Sequence, residues 1–234
     1  MTAELAILAG GLATRLGDRT RTIPKSLLLV HGRPFVAWQL ERVRDSGFSK
    51  VLLCVGHLGE QIESFVGDGR AFGLHVEYSH DGGHLLGTGG ALVKALPQLA
   101  ECFVVTYGDS YLPFDYRAPL RDLLLHPEAE GCLAVYPNEN RWDSSNTRVS
   151  GERVVAYRKN ARDFDHIDYG ALALRRSALA AEGRSAFGLD SVQTALAERG
   201  TLRAFIAGER FYEVGSDAGI RDFEAYLSSH RPAY

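Results

Sequence analysis

The stretch LAILAGGLATRLGDRTRTIPKS, residues 5–26, carries three signals in succession. Leu5-Ala6-Ile7-Leu8-Ala9 is an apolar run of the length expected for a strand buried on both faces. Gly10 and Gly11 follow at once. Glycine at a strand's carboxyl end lets backbone N–H groups come within contact distance of a ligand that a Cβ would hold off. Arg15, Arg19, Arg21 and Lys25 come next, with Asp18 as the one acid among them. A strand, a glycine turn and clustered positive charge together make a place for a polyphosphate. Neither G-x-x-x-x-G-K-[ST] nor G-x-G-x-x-G is present, because the glycines fall at 10, 11 and 17. That spacing argues against a P-loop NTPase and against a dinucleotide-binding fold.

The composition bounds the rest. A chain of 234 residues is long enough for one sizeable α/β domain. Its 45% apolar and 24% charged residues are those of an ordinary globular protein. A formal charge of −3 provides no global basic field, which argues against nucleic acid as a partner. No apolar run reaches the ~20 residues that span a bilayer, so no membrane partner is expected. Met1-Thr2-Ala3-Glu4 runs straight into the first strand without a signal-peptide pattern. Cys54, Cys102 and Cys132 each sit in an apolar run, which predicts buried, reduced thiols and fits a cytoplasmic enzyme.

Apolar spacing over 34–45 predicts a helix ended by Gly47. A strand is expected at 51–55, a helix at 58–66 stopped by Gly67-Asp68-Gly69, and a short strand at 76–78. This alternation implies an α/β fold with a doubly wound, mostly parallel, Rossmann-like sheet. Ligands bind outside the carboxyl ends of such strands, which puts the Gly10–Lys25 loop on the functional edge. A glycine-rich loop, 79–91, then runs into a helix starting near Thr88. The strand 102–106 delivers Tyr107-Gly108-Asp109 at its carboxyl end. A lone carboxylate there is costly to desolvate, and a Mg²⁺ bridging it to a phosphate would supply the compensation. Beyond Leu112 the pattern changes. Strands are expected at 133–136 and 167–174, and a hairpin at 148–149 and 154–157 turning at Ser150-Gly151. A helix at 189–198, a strand at 202–206 and a last helix at 218–228 complete the chain. No hexapeptide repeats follow, so no C-terminal β-helix is expected.

Leu8-Ala9-Gly10-Gly11-Leu12-Ala13-Thr14-Arg15-Leu16, followed by Pro24-Lys25-Ser26, resembles the signature of the sugar-1-phosphate nucleotidylyltransferases. The resemblance extends, more weakly, over essentially the whole chain. It implies one nucleotidyltransferase domain, with 1–112 mainly on the nucleotide side and 113–234, an antiparallel insertion, mainly on the sugar side. Its nucleotide-binding positions are Leu8, Ala9, Gly10, Gly11, Thr14, Gly87 and Thr88, the last two lying against the base. Its sugar-phosphate positions are Gly108, Asn146, Lys159, Tyr169 and Gly170. Asp109 corresponds to its metal-holding Asp, and Glu213 stands where its second metal ligand, an Asp, is found. Glu is also a hard oxygen donor, and we prefer it to Asp217, which reads as a first-turn acid of the last helix. The chain departs from the family at Arg158 (usually Glu), Asn160 (usually Pro) and Asp168-Tyr169-Gly170 (usually Asn-Ala-Gly). These departures bear on the sugar rather than on the phosphate chemistry.

The implied reaction joins an NTP to a sugar 1-phosphate with release of pyrophosphate. The attacking phosphate oxygen is already an anion, so no general base is required. Catalysis then reduces to holding two polyanions together and neutralising developing charge. Arg15 would grip the leaving phosphates, Lys25 would meet the α-phosphate and Lys159 the sugar phosphate. Mg²⁺ on Asp109 and Glu213 would bridge the substrates. Leu85–Ala91 is most similar to the mannose- and heptose-1-phosphate guanylyltransferases, which favours GTP, with UTP and CTP as alternatives. A nucleotide-sugar-dependent glycosyltransferase would want a D-x-D after a central strand, where this chain has Gly-Asp-Ser. A non-catalytic nucleotide sensor would be expected to lack Arg15, Lys25 or Asp109.

Overall fold

The computed structural model describes residues 2–11, 22–159, 161, 163–180 and 183–230. Thr14 and Arg15, to which the sequence assigns nucleotide contacts, lie outside the described residues.

The elements in order are β1 (Ala3–Leu8), a small hairpin of β2 (Leu29–Val30) and β3 (Arg33–Pro34), α1 (Phe35–Asp45), β4 (Lys50–Val55), α2 (Gly59–Val66) and β5 (His75–His80). Next come α3 (Gly87–Ala95), β6 (Leu99–Tyr107), β7 (Ser110–Tyr111), α4 (Ala118–Leu125) and β8 (Gly131–Pro137). The hairpin β9 (Thr147–Ser150) and β10 (Arg153–Tyr157) leads to β11 (His166–Arg175) and α5 (Ser177–Ala180). The chain closes with α6 (Asp190–Glu198), β12 (Leu202–Ile206), β13 (Tyr212–Glu213) and α7 (Asp217–His230).

Nine strands form one sheet in the order β5-β4-β1-β6-β11-β8-β12-β10-β9. β5, β4, β1 and β6 are mutually parallel. β11 then runs antiparallel between β6 and β8, and β12 lies parallel to β8. The sheet is therefore mixed, with the parallel N-terminal half and the mixed C-terminal half fused edge to edge. The continuous apolar runs follow from burial on both faces. Leu5, Ile7, Val51, Leu53 and Val104 pack on one face with Val36, Leu40 and Val43 of α1. Ala6, Leu8, Leu52, Cys54 and Val105 pack on the other with Leu92 and Ala95 of α3. α1 presents its apolar residues at helical spacing, as that packing requires.

β1 has β4 on one side and β6 on the other, so the chain changes direction across the sheet at β1. Such a switch opens a crevice outside the strand ends. Here the two ends are clamped. Gly108 N–H donates to Leu8 O at 2.9 Å, and a Cβ on Gly108 would meet the Ala9 Cβ at 2.9 Å. A side chain at 108 would push the two carboxyl ends apart.

Candidate active site

The crevice contains two cavities. The first, of about 240 Å³, is lined by Leu8, Ala9, Gly10 and Gly11 after β1, by Gly87 and Thr88 at the start of α3, and by Gly108 and Asp109 after β6. Every nucleotide-side residue expected from the sequence that the structure describes lies on this wall. The second, of about 620 Å³, is lined by Asn146, Lys159, Gly170, Glu213 and further residues of the C-terminal half. Lys25, Thr88, Tyr107 and Asp109 line both cavities, so the two open onto each other at these four residues.

Local structure fixes that junction. Pro24 precedes a 3-10 turn at Lys25–Leu27, and its fixed φ suits the entry. Ser26 Oγ donates to Gly108 O at 2.9 Å and pins the turn to the end of β6. Lys25 Nζ then donates to Asp109 Oδ2 at 2.9 Å. The buried Gln39 of α1 donates from Nε2 to Tyr107 O at 2.7 Å and to Ser110 O at 2.9 Å. That side chain holds the turn carrying Asp109. β13 pairs antiparallel with β7, placing Glu213 opposite Ser110, and Val214 N–H donates to Asp109 O at 2.9 Å. Glu213, 104 residues after Asp109 in the chain (213 − 109), thus lies on the strand paired with the one that Asp109 immediately precedes, and Lys25 binds Asp109 itself.

Two expected sugar-phosphate residues lie elsewhere. Gly108 lines the first cavity rather than the second, because it is the point where β6 crosses Ala9. Tyr169 is 1% exposed and packs edge-on against Phe114 and Phe211 in the core. Successive strand residues face opposite ways. Asp168 and Gly170 face the second cavity, so Tyr169 between them faces away. Lys159 lines that cavity with its Nζ 3.1 Å from Asp190.

The glycines of α3 meet the chain itself. A Cβ on Gly89 would strike the Phe187 ring, and one on Gly90 would strike the Ser185 carbonyl. Thr88 Oγ1 accepts the Leu189 N–H at 2.8 Å rather than capping its own helix. Gly89→Ala should therefore destabilise the fold by about 1–3 kcal/mol through overpacking. Urea unfolding checks this, and a stability equal to wild type would contradict the packing.

Several lining residues carried no motif. Asp81 stands just after β5 at the first cavity, and its Oδ2 accepts Leu86 N–H at 3.2 Å. Burial raises its carboxyl above the usual value, against the Leu86 hydrogen bond and the Lys94 charge. Asp143, Tyr157, Asp168 and Gln193 line the second cavity. Tyr157 and Gln193 were signalled only by a polar residue inside an apolar element, Asp143 by nothing beyond a polar loop, and Asp168 by its departure from the family's Asn-Ala-Gly. Tyr107 is held far above its ordinary value, first by burial and then by Asp168 and Asp109, so it remains a neutral phenol. The three cysteines are free, with Cys54 and Cys132 buried and Cys102 partly exposed. Burial, and then Asp81, push the Cys54 thiol up to about 12, which excludes it as a neutral-pH nucleophile. Among the described residues no helix is long and apolar enough to cross a membrane.

Comparison with known proteins is consistent with this layout. Residues 5–181 match the MobA-like NTP transferase domain. Over 123 residues the chain is 37% identical to N-acetylmuramate alpha-1-phosphate uridylyltransferase of Neisseria meningitidis, covering 52% of this chain and 53% of that one. It is 27% identical to D-glycero-alpha-D-manno-heptose 1-phosphate guanylyltransferase of Aneurinibacillus thermoaerophilus, covering 97% and 99% of the two chains. The chain spans between 35% and 53% of the length of the first three curated relatives it matches. The crystal structure of HddC from Yersinia pseudotuberculosis complexed with GMP-PN shares the fold, with a TM-score of 0.82 at 21% identity over 96% of this chain and 99% of that one.

Proposed function

The chain belongs to the MobA-like NTP transferase domain family, and on that premise we propose that it transfers a nucleoside monophosphate from an NTP to a sugar 1-phosphate, releasing pyrophosphate. The observation that carries this reading is the junction of the two cavities at Lys25 and Asp109. A pair of polyanions bound one in each cavity would bring their phosphates together beside one cation and two carboxylates. The nucleotide side is built from residues 8–109 alone, and the sugar side adds residues 143–215, in keeping with a nucleotide half at 1–112 and a sugar half at 113–234.

Asp109, in the turn before β7, and Glu213, on the strand paired with β7, are hard oxygen donors that both line the second cavity, a donor set suited to Mg²⁺. Among the described residues no cluster of three or more His, Cys, Asp or Glu stands ready to hold an ion. A Mg²⁺ on these two acids would be completed by substrate phosphates and water. Bound there, it would neutralise phosphate charge. Lys25 meets the α-phosphate, and Lys159 the sugar phosphate after leaving Asp190. Gly10 and Gly11 offer backbone N–H groups to the nucleotide. The free thiols fit a reducing, cytoplasmic setting.

GTP is favoured over UTP and CTP on one observation. Asp81 lies on the nucleotide cavity among the apolar walls of Leu8, Cys54, Leu85 and Ala91. Its Oδ1 has no hydrogen-bond partner among the described residues, while Oδ2 takes Leu86 N–H. An ionised carboxylate only accepts. Guanine offers two adjacent donors, N1–H and the N2 amino group. Uracil offers one donor flanked by two carbonyls, and cytosine one donor beside an acceptor. Asp81→Asn should lower kcat/KM for GTP by about 10–100-fold, the worth of a hydrogen bond to a charged group. It should also admit XTP, whose 2-oxo group accepts from the new amide. Pyrophosphate release across GTP, UTP, CTP and XTP checks this, and an unchanged order would remove Asp81 from base reading. The reaction itself is tested by combining each NTP, Mg²⁺ and a sugar 1-phosphate. Absence of pyrophosphate and nucleotide-sugar for every pair would refute the function.

A further inference from the structure

The floor of the sugar-side cavity holds a hydrogen-bond network that neither the phosphate chemistry nor the metal site uses. Asp168 sits at its centre. Oδ1 accepts Gly170 N–H at 2.8 Å, and Oδ2 accepts Gln193 Nε2 at 2.7 Å and the Tyr157 hydroxyl at 3.1 Å. A carboxylate has about four lone-pair sites. Three are filled, and the open one is on Oδ1. Gln193 is 1% exposed and lines the same cavity, yet its Oε1 has no partner among the described residues. A buried acceptor left empty is costly and calls for an explanation. Asn146 completes the floor. Its Oδ1 accepts Asp168 N–H at 2.7 Å and the Thr147 hydroxyl at 2.8 Å, which turns its amide nitrogen the other way.

The network is matched to Asp at position 168. An Asn there would set its own amide nitrogen or its single oxygen against three incoming donors. Because Gln193 and Tyr157 both spend their donors on Asp168, two acceptors are left with spare capacity among the described residues, Asp168 Oδ1 at the cavity and Gln193 Oε1 buried beneath it. The Asn146 amide nitrogen is a donor with no hydrogen-bond partner among the described residues. Asp143 and Asp190 add further negative charge around this cavity, and the Lys159 ammonium is already beside Asp190.

We propose that Asp168 and Gln193 select the sugar, accepting hydrogen bonds from ring hydroxyls of a neutral, fully hydroxylated sugar 1-phosphate and excluding sugars that carry a carboxylate. This rests on the nucleotidyl-transfer reading above. A hydroxyl can donate to either acceptor and accept from Asn146. A sugar carboxylate cannot donate, and it would stand beside the Asp168 carboxylate as a like charge. A deoxy sugar would leave an acceptor buried and empty. Sites built to hydrogen-bond a substrate hydroxyl reject analogues that lack it far more strongly than apolar pockets reject a methylene.

The test is pyrophosphate release by the full chain with GTP and Mg²⁺. The acceptors are mannose or glucose 1-phosphate, whichever turns over, its singly deoxygenated analogues, and the corresponding uronic acid 1-phosphate. The wild type should lose about 10–100-fold in kcat/KM on deoxygenation of at least one ring position. It should disfavour the uronic acid at least as strongly. Asp168→Asn should narrow the neutral-to-acid ratio by at least about tenfold, and Gln193→Met should flatten the deoxy penalty. A structural role alone would lower all rates together and leave the ranking intact. If neutral and acidic sugars react alike in the wild type, or if both variants turn over with the wild-type ranking, the proposal is wrong. Should neither variant fold, the wild-type ranking decides alone. A wild type inert with every NTP and sugar 1-phosphate would instead overturn the nucleotidyl-transfer reading, and this inference with it.

Discussion

Lys25→Ala is expected to lower the rate of pyrophosphate release by about 10²–10³, the usual loss on removing one preorganised charge-stabilising donor. The ammonium stands at the junction of the two cavities, 2.9 Å from Asp109 Oδ2. Its place is set by the backbone on both sides, through Pro24 and the Ser26–Gly108 hydrogen bond, and that backbone survives truncation at Cβ. The loss should therefore fall on kcat more than on stability. Lys25 and Asp109 are both partly exposed, and an exposed ion pair contributes only about 0–1 kcal/mol. Lys25→Arg is expected to recover little, because the planar guanidinium is longer and cannot place a point charge in the same spot. Single-turnover rates with GTP, together with unfolding midpoints, separate the two effects. A variant that turns over normally would take Lys25 out of the chemistry. A variant that simply unfolds would make its role structural.

How far the chain could be read without coordinates depends on whether a feature is local. The strands at 51–55 and 102–106 and the helices at 34–45 and 189–198 were legible because each has a run or a period that one stretch of chain carries by itself. The hairpin turning at Ser150-Gly151 was legible for the same reason, and Gly151 does adopt positive φ there. The parallel pairing of β12 with β8 had no local signature, since register between distant strands is decided by the sheet as a whole. The site divides in the same way. Gly10, Gly11, Lys25 and Asp109 lie at the ends of recognisable elements, where a doubly wound sheet gathers its ligands. Tyr169 was assigned to the sugar phosphate by its alignment with the family's Asn-Ala-Gly, and an alignment does not say which face of the strand is inward. One residue of offset separates Tyr169 in the aromatic core from Asp168 and Gly170 at the cavity. The glycines at 89 and 90 read only as part of a glycine-rich stretch running into a helix. Their close neighbours are Phe187 and Ser185, some hundred residues on, and no local pattern announces that contact. Gln193 and Asp81 are single polar residues whose meaning comes only from what surrounds them.

Asp109→Asn, Glu213→Gln and the double variant together test the most consequential assignment. Each single change is expected to cost about 10³ in kcat with saturating Mg²⁺, the several kcal/mol of charge stabilisation that a bound metal supplies. The double variant should be little worse than either single one, because residues that serve one function are strongly non-additive. Their separation in the chain makes this coupling informative. Only the β7–β13 pairing brings Glu213 beside the residue after Asp109. Two independent structural roles would give additive losses. Activity alone could not distinguish a lost ligand from a displaced Lys25, since Asp109 also binds that ammonium. Metal affinity can. Calorimetric titration with Mn²⁺ in the presence of a non-hydrolysable GTP analogue should show weaker binding in Asp109→Asn and in Glu213→Gln. Lys25→Ala, which removes a competing cation from the same carboxylate, should bind metal at least as tightly as wild type. Additive rate losses with unchanged Mn²⁺ affinity would mean that these two acids do not share an ion.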